Sequence, residues 1–205
     1  MHAIRLGAGL LIAALLAVTG CSGGSNLAEY GGFTFTSPGG QSEFSYPAGE
    51  RGAIGDLTGP DLAGDGEIKL SDYPGKVIVL NVWGSWCAPC RAETDDLTDA
   101  ATRTADLPVQ FLGIDVKDTR DGGRDFHTSQ RVPYPSIFDP GMRTLLSIRG
   151  FPTSSIPATI ILDRDHRVAR IYLRVIYREE IIQAVTDLAA ETPDDTAGSA
   201  RPTTP

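Results

Sequence analysis

Two cysteines separated by two residues are the side chains best suited to chemistry in this sequence. Residues 86–90 read WCAPC, which puts Cys87 and Cys90 one helical turn apart if a helix starts here. The preceding residues, 77–83, read VIVLNVW and are typical of a buried strand. Such a strand would deliver Cys87 to a helix N-terminus, where unpaired N–H groups and the helix dipole favour thiolate over thiol. We therefore expect Cys87 to be an exposed nucleophile, and Cys90 to attack the mixed disulfide that Cys87 forms.

The same cysteine spacing also occurs in zinc sites, but the sequence does not supply the other ligands. A closed tetrahedral site needs four ligands, and Cys21 is the only further cysteine. The three histidines lack ligand spacing; they are His2, His127 and His166. A structural disulfide across so short a loop would constrain little of the unfolded chain. The sequence therefore favours redox chemistry over a metal site, and it indicates no cofactor.

The first residues of the chain predict export. Arg5 gives a short positive start, and the apolar run behind it is too short for an ordinary transmembrane helix. We therefore expect a signal peptide over residues 1–20. Residues 18–21 read VTGC and resemble the lipobox of bacterial lipoproteins, which implies a lipidated Cys21, a flexible tether over residues 21–32, and a location on the extracytoplasmic face of the bacterial cell membrane. The alternative is an ordinary secretory signal in which Cys21 is incidental.

The length and charge of the chain limit its class. About 185 residues remain after the signal peptide, which is enough for one domain with a sizeable core. The formal net charge is -8, and loss of Arg5 with the signal makes the remainder one unit more negative. Nucleic acid is therefore not expected as a partner.

Hydrophobic periodicity predicts the elements that position the two cysteines. Alternating residues at 33–36 and 43–46 flank a Pro-Gly-Gly turn and predict a small leading hairpin. Residues 89–105 predict a helix, and residues 109–116 a second apolar strand. With residues 77–83 they make a β-α-β unit, which requires parallel pairing and a right-handed crossover. Further predicted elements, in chain order, are a helix at 122–131, a short helix at 143–148, a hairpin of 158–162 with 167–173, a closing helix at 179–190 and a disordered tail at 191–205.

This order of elements, with a CxxC at the start of the first helix and an antiparallel hairpin near the end, resembles the thioredoxin fold. The stretch at 81–93, NVWGSWCAPCRAE, the leading segment and the insert before the hairpin resemble the membrane-anchored TlpA/ResA/DsbE-type thioredoxins. The resemblance implies an α/β thioredoxin-like domain over residues 33–190. We expect a central mixed sheet flanked by helices, an N-terminal extension and an insert.

Members of this family carry a cis-proline that faces the disulfide just before the third strand. Pro152 follows a glycine-containing turn and precedes a threonine, as in the family pattern, but it lies too far ahead of the strand. Pro157 directly precedes the strand at 158–162, so the resemblance assigns it the cis-proline role. Ile156 would then bind substrate beside it. We expect Trp86 to be a lid beside the disulfide that offers apolar contact to substrate.

The resemblance also suggests which group exchanges protons with the second cysteine. Thioredoxins place a buried aspartate where this chain has Asn81, and an amide cannot act as a base. Glu93, three residues past Cys90 on the same helical face, matches a glutamate that ResA-like proteins keep in the active-site cavity. It would take the proton of Cys90. Alternatively, Glu93 is one more early acid favoured by the helix dipole, like Asp95 and Asp96.

The function implied by the resemblance is exported thiol:disulfide exchange. The residues between the cysteines, Ala88 and Pro89, resemble those of reducing members. An exported reductant would draw electrons from a membrane protein of the CcdA or DsbD type. Its substrate would be a disulfide in an exported protein, for ResA-like members the CxxCH of apocytochrome c during cytochrome c maturation.

Three other functions remain open on the sequence: disulfide formation, copper transfer and a non-catalytic role as a surface lipoprotein. One is an oxidase that forms disulfides in secreted proteins. Another is a thiol-based copper chaperone of the Sco type, although those proteins use a wider cysteine spacing and a distant histidine. A peroxiredoxin would need a Pro-x-x-x-Thr-x-x-Cys setting, which the sequence lacks.

Five arginines near the closing hairpin form a basic cluster. We interpret this cluster as a solvated sheet edge that resists strand pairing, with contact to anionic lipid or a partner as the alternative. Its members are Arg164, Arg167, Arg170, Arg174 and Arg178.

Overall fold

A computed structural model describes residues 32–37 and 39–192 of the chain. The predicted signal peptide, the lipidation site at Cys21 and residues 193–205 of the predicted tail lie outside these described residues. Within the described part, no helix is both long enough and apolar enough to cross a bilayer.

Eight strands and three α-helices make up the described part of the chain. The strands are β1 Glu43–Ser45, β2 Thr58–Pro60, β3 Glu67–Lys69, β4 Val77–Trp83, β5 Val109–Val116, β6 Ser136–Asp139, β7 Ala158–Leu162 and β8 Val168–Tyr172. The α-helices are α1 Ala88–Arg103, α2 Arg120–Ser129 and α3 Arg178–Ala190, and the insert contains a 3-10 helix, Thr144–Ser147.

Six of the strands form one mixed sheet in the order β1-β8-β7-β4-β5-β6, while β2 and β3 form a separate antiparallel pair. β4 is parallel to β5 and antiparallel to β7, so it lies at the centre of the sheet. All seven residues of β4 are buried, as its almost uniformly apolar sequence predicts for a strand covered on both faces. The predicted α/β fold, with a mixed sheet flanked by helices, is confirmed.

Each face of the sheet has its own apolar core. On one face, α1 and α3 pack against β4 and β5 through Leu97, Val185 and Leu188. On the other face, the N-terminal extension and the insert cover the alternate residues of the same strands, including Leu80 and Ile114. Burial of each such side chain stabilises the fold by about 1.5–3 kcal/mol before entropy is counted. The two cores hold β4 and α1, and therefore the cysteines between them, in a fixed position.

The predicted leading hairpin is wrong. Glu43–Ser45 pairs with β8, where Phe44 lies opposite Ile171. Phe35 instead donates its backbone N–H to the carbonyl of Arg149 in the insert, at 2.7 Å. The alternation around residues 33–35 reflects two phenylalanines buried in the core, and Phe35 packs edge-on against Phe44 at 4.9 Å between ring centroids. The two alternating segments therefore contact each other through side chains, and their backbones pair with other parts of the chain.

The predicted solvated edge of arginines is also wrong, because β1 pairs with β8 and covers it. Each of the five arginines contacts an acidic group, a backbone carbonyl or a serine hydroxyl. Arg174 pairs with Glu180 and Glu43 at 2.6 and 2.8 Å, respectively. Other contacts of the cluster are Arg178 with Asp99 and Glu179, Arg167 with Asp163 and Asp165, Arg164 with the carbonyl of Glu191, and Arg170 with Ser45.

A buried arginine joins the two ends of the domain. The side chain of Arg51 is only 7% exposed and makes a two-point contact with Glu191, at 2.6 and 2.7 Å. It also pairs with Asp163 at 3.3 Å, in the turn between β7 and β8. These contacts with Glu191 and Asp163 raise the pKa of Arg51 above its ordinary value, against the opposing effect of burial. The first residue of the predicted tail, Glu191, is thereby attached to the domain.

Candidate active site

The two cysteines form a disulfide where β4 leads into α1. Cys87 is the N-cap of α1, with an extended backbone, and its Sγ accepts a hydrogen bond from the backbone N–H of Cys90 at 3.2 Å. Pro89 lies in the first turn of α1. A backbone N–H at this position would have no acceptor within the helix, so a proline, which lacks the N–H, costs no helical hydrogen bond. The Cα atoms of Cys87 and Cys90 are 5.2 Å apart. The sequence therefore predicted the local setting of both cysteines.

The disulfide is buried, which contradicts the expectation that Cys87 is exposed. Cys87 and Cys90 are 3% and 1% exposed, respectively. We call the group of apolar side chains around them the disulfide cluster. It consists of Leu62, Trp83, Cys87 and Cys90, with Phe126, Phe138 and Ile156 packed against them. Leu62 and Phe126 come from segments distant in sequence. The local sequence around the two cysteines therefore could not predict that these side chains bury the disulfide.

The two tryptophans of the motif have different environments. Trp83 is buried in the disulfide cluster, and its ring lies 5.4 Å from that of Phe126 between centroids. Trp86 is half exposed, and its indole N–H donates to the carbonyl of Val116 at 3.1 Å. Trp83 therefore belongs to the core beside the disulfide. The exposed surface of Trp86 is available to a substrate, and its role as a lid stays a prediction.

The peptide bond between Ile156 and Pro157 is cis, as the sequence pattern predicts. Pro157 is buried directly before β7, the antiparallel neighbour of β4. Ile156 packs against the disulfide cluster, so this segment lies beside the two cysteines. Pro152 instead accepts a turn hydrogen bond from the N–H of Ser155 at 3.2 Å. The catalytic role of Pro157 and the substrate contact of Ile156 remain predictions.

Glu93 is fully buried between three elements. Its Oε1 accepts a hydrogen bond from the side-chain amide of Asn81 on β4 at 2.9 Å. Its Oε2 accepts one from the backbone N–H of Ile176, just before α3, at 3.1 Å. Asn81 also donates to Thr159 Oγ1 on β7 at 3.3 Å. Glu93 thus differs from Asp95 of the same helix, which is exposed, while its role in proton exchange remains a prediction.

The environment of Glu93 suits it to proton exchange near neutral pH. Burial raises its pKa to about 7, and this effect exceeds the lowering by the bonds from Asn81 and Ile176. Asp96 raises the pKa slightly further. A carboxyl group with a pKa near 7 is present in both protonation states at neutral pH, as a general acid or base requires. Glu93 follows Cys90 by three residues and so shares its helix face.

A second buried acid was missed by the sequence interpretation. Asp115, near the end of β5, lies opposite Trp83 in the parallel pair and is fully buried. Burial raises its pKa to about 8, with a further contribution from Asp118, and Arg120 opposes the shift. The available signal was a lone acid inside the otherwise apolar run VQFLGIDV at 109–116.

The two described histidines bond to backbone carbonyls. His127 is half-buried on α2, with Nε2 2.9 Å from the carbonyl of Tyr134, and burial lowers its pKa. His166 lies in the turn before β8, with Nε2 3.1 Å from the carbonyl of Tyr73. Across residues 32–37 and 39–192, no three His, Cys, Asp or Glu side chains are grouped as ligands for a metal ion.

Comparison with known proteins identifies the family of the chain. A family model described as AhpC/TSA matches residues 52–172. A solved secreted thiol-disulfide isomerase from Corynebacterium glutamicum is 40% identical, covering 78% of this chain and 99% of that one with a TM-score of 0.77. A solved DsbF homologue from Corynebacterium diphtheriae is 39% identical, covering 76% of this chain and 99% of that one with a TM-score of 0.73.

A curated relative, the thiol-disulfide oxidoreductase ResA of Bacillus cereus, is 27% identical over 108 residues. These residues are 53% of this chain and 60% of ResA, so the match spans less than two thirds of that protein. The family model, by contrast, covers more than half of this chain, and the solved relatives align along nearly their whole length. The chain therefore belongs to the AhpC/TSA family, has a thioredoxin-like fold and is similar to the ResA and DsbF proteins named above.

Proposed function

We propose that this protein is an exported, lipid-anchored thiol:disulfide oxidoreductase that reduces disulfides in other exported proteins. The observation that carries the proposal is the Cys87–Cys90 disulfide at the N-terminus of α1, with cis-Pro157 beside it and the buried carboxyl of Glu93 on the same helix. Relatives named as thiol-disulfide oxidoreductase and as secreted thiol-disulfide isomerase support the reaction class.

The local geometry favours Cys87 as the attacking group. After reduction, the N–H of Cys90, which now bonds to Cys87 Sγ at 3.2 Å, is in place to stabilise a thiolate on that sulfur. The positive end of the α1 dipole adds to this effect. Cys90 is nearly inaccessible and lies one turn further along the helix, so it suits the resolving step.

The proposed reaction transfers two electrons to the substrate. The Cys87 thiolate attacks one sulfur of a substrate disulfide, forms a mixed disulfide and releases the other substrate sulfur, which takes up a proton. Cys90 then gives its proton to Glu93 and attacks Cys87. The Cys87–Cys90 bond forms, and the second substrate sulfur leaves as a thiolate. The substrate disulfide becomes a dithiol, and the dithiol of this protein becomes a disulfide.

The substrate and electron donor follow from the family resemblance and from the predicted export signal. We propose the CxxCH disulfide of apocytochrome c as the substrate, which assigns this protein to cytochrome c maturation. A membrane protein of the CcdA or DsbD type would return two electrons to Cys87–Cys90. Lipidation of Cys21 would hold the domain at the membrane, close to that donor.

Disulfide formation or isomerisation is the second candidate. The relative with 40% identity is named a secreted thiol-disulfide isomerase, and the one with 39% identity a DsbF homologue. In disulfide formation, the Cys87–Cys90 disulfide would accept two electrons from substrate thiols. In isomerisation, reduced Cys87 would attack a substrate disulfide and be released again by another substrate thiolate, with no net transfer of electrons. A copper chaperone would instead hold a metal ion between the reduced cysteines without exchanging disulfides.

The reduction potential of the Cys87–Cys90 pair tests the proposal. The chain without residues 1–20, carrying Cys21→Ser, is equilibrated with graded dithiol buffers while tryptophan fluorescence is recorded. A potential near or below the roughly -270 mV of thioredoxin supports the reductant. A potential near the roughly -120 mV of DsbA favours the oxidase. Failure to exchange with thiols, with stable copper retention after chemical reduction, would contradict the enzyme.

A further inference from the structure

Two acidic side chains meet beneath the loop that carries Cys87. Asp115 is fully buried, and when ionised neither of its oxygens meets an N–H or O–H donor in the described part of the chain. Burial, the charge of Asp118 and hydrogen bonding with the Asp118 carboxyl all raise the pKa of Asp115, which indicates that the two carboxyls lie next to each other. A carboxylate can only accept a hydrogen bond, so this contact requires a proton on one of the two groups. Two carboxyls this close repel each other when both are ionised.

Two adjacent glycines of α2 make room for this pair. A Cβ atom at Gly123 would collide with the Asp115 carboxyl. A Cβ atom at Gly122 would lie 3.0 Å from Asp118 Oδ1. Glycine inside a helix costs about 1 kcal/mol relative to alanine. The Asp115 carboxyl therefore requires a glycine at position 123, whereas Gly122 leaves room for both Asp118 and the capping hydroxyl of Thr119.

The acid pair is attached to the loop ahead of Cys87. Asp118 Oδ2 accepts a hydrogen bond from the backbone N–H of Ser85 at 2.6 Å. One residue further, the Trp86 indole bonds to the Val116 carbonyl at 3.1 Å. The last residue of β5 and the segment after it thus hold the loop between β4 and α1 at two points. One of these points is the carboxyl that contacts Asp115.

The acid pair also shares its apolar cover with the disulfide. Leu62 is a member of the disulfide cluster, and its Cδ1 would lie 3.1 Å from a Cβ at Gly123, next to Asp115. Trp83, the strand neighbour of Asp115, is a member of the same cluster. Apolar side chains therefore lie between Asp115 and the cysteines. They screen the charge of Asp115 far less than water would, so a change in that charge is felt at the cysteines.

We propose that Asp115 and Asp118 are positioning residues that share one proton, hold the loop ahead of Cys87, and link the redox equilibrium of Cys87–Cys90 to pH. The proposal rests on the proposed thiol:disulfide chemistry of these cysteines. It adds a second proton-linked group to the site, separate from Glu93.

The charges around the pair determine the sign of this link. Asp115 faces Asp118 and the Arg120 guanidinium on the α2 side, and uncharged side chains from β4 and from the segment between β2 and β3. The pair carries one negative charge while it holds the shared proton and two after losing it. Reduction by a dithiol adds two electrons and two protons to the neutral disulfide, and Cys87 then ionises. The second charge on the pair disfavours that thiolate, so loss of the proton favours the oxidised form.

An infrared titration of the oxidised protein tests the shared proton directly. Glu93→Gln is the background, because Glu93 would contribute its own protonated carboxyl band. We expect a carboxylic acid C=O band that disappears as the pH rises through about 8, the pKa of Asp115, and that is missing when Asp115→Asn is added. A band unchanged by Asp115→Asn would overturn the proposal. This readout does not depend on disulfide exchange, so it decides the shared proton even if the proposed function fails.

The redox link is tested by equilibrium with dithiothreitol across the pH range. At about pH 9, where the wild-type pair is ionised, we expect Asp115→Asn to shift the equilibrium toward the dithiol by roughly three- to tenfold. At about pH 6 the two proteins should agree. Asp125→Asn removes an exposed acid from α2, the helix that follows the pair, and should follow the wild type. Curves of Asp115→Asn and wild type that superimpose at every pH would overturn the link.

Asp118→Asn gives a second test that does not alter the buried residue. Its amide can donate to ionised Asp115, so the Asp115 transition should move to lower pH in both the infrared and the redox titration. A transition that stays in place would show that Asp118 does not share the proton.

Discussion

The side-chain amide of Asn81 donates to Glu93 at 2.9 Å, which joins the central strand to the helix that carries both cysteines. The N–H of Ile176 binds the other carboxyl oxygen at 3.1 Å. Glu93 is therefore held in one position without solvent contact, three residues beyond Cys90. Burial raises its pKa to about 7 in this position.

Glu93→Gln should alter the pH dependence of stability. The pKa of Glu93 rises from 4.5 to about 7 on folding, so the stabilising protonated form is fully present below about pH 4.5 and is lost as the pH rises through about 7. We expect the wild-type free energy of unfolding to lose about 3 kcal/mol more across this interval than that of Glu93→Gln. Urea unfolding at several pH values measures this difference. Asp95→Asn, an exposed acid on the same helix, should behave like the wild type.

The same substitution should slow the resolving step. Glutamine cannot accept the Cys90 proton, so release of substrate from the mixed disulfide should be roughly a hundredfold slower, with the initial attack by Cys87 little changed. Rapid-quench analysis of the mixed disulfide separates the two steps. Equal slowing of both steps would argue against a proton-accepting role.

Cys90→Ser should trap the substrate, since Cys87 can still attack but nothing resolves the intermediate. Cys87→Ser should form no such adduct. Mass spectrometry of the chain after incubation with a disulfide-bonded protein distinguishes these outcomes. An adduct formed by Cys87→Ser would reverse the assignment of the two roles.

Leu62→Ala should uncover the disulfide. Leu62 is 1% exposed within the disulfide cluster, so truncation should cost about 3 kcal/mol of stability and should speed reduction of Cys87–Cys90 by a small dithiol. Leu146 is 75% exposed, and Leu146→Ala should change neither quantity. Unchanged reduction kinetics in folded Leu62→Ala would show that Leu62 does not control access to the sulfurs.

Arg51→Ala should destabilise the fold without affecting the chemistry. The substitution removes one of the arginine partners of Asp163, a residue that is only 2% exposed. It also removes the two hydrogen bonds that hold the Glu191 carboxylate. Loss of one partner of a buried ion pair costs about 3–5 kcal/mol. Thermal unfolding measures this loss. Lys69→Ala removes a cation from an exposed pair with Glu67 and should cost less than about 1 kcal/mol.

Local sequence was sufficient for the elements that carry the cysteines. The predicted strands at 77–83 and 109–116 have the bounds of β4 and β5, and the helix predicted at 89–105 is α1, Ala88–Arg103. Continuous apolar runs and an N-terminal proline act over a few residues, so they can be read without the fold. The same locality explains the choice of Pro157, which adjoins a strand of this kind.

Local sequence was misleading where alternation had a cause distant in the chain. Phe33 and Phe35 alternate because both are buried against the core, and the pairing partner of β1 is β8, more than a hundred residues away. The arginine-rich stretch indicated an exposed edge, but the pairing of β1 with β8 covers it. A strand's partner depends on long-range contacts that a local pattern does not encode.

The sequence by itself determined the chemistry available at this site. A CxxC at the start of a helix after a buried strand supplies two thiols, and local backbone geometry is sufficient to propose the order in which they attack. The tertiary structure decided how that chemistry is controlled. Leu62 and Phe126 bury the disulfide, Asn81 and Ile176 hold Glu93, and Asp115 meets Asp118 under the loop. Burial and charge proximity set pKa values, and both arise from residues that only folding brings together.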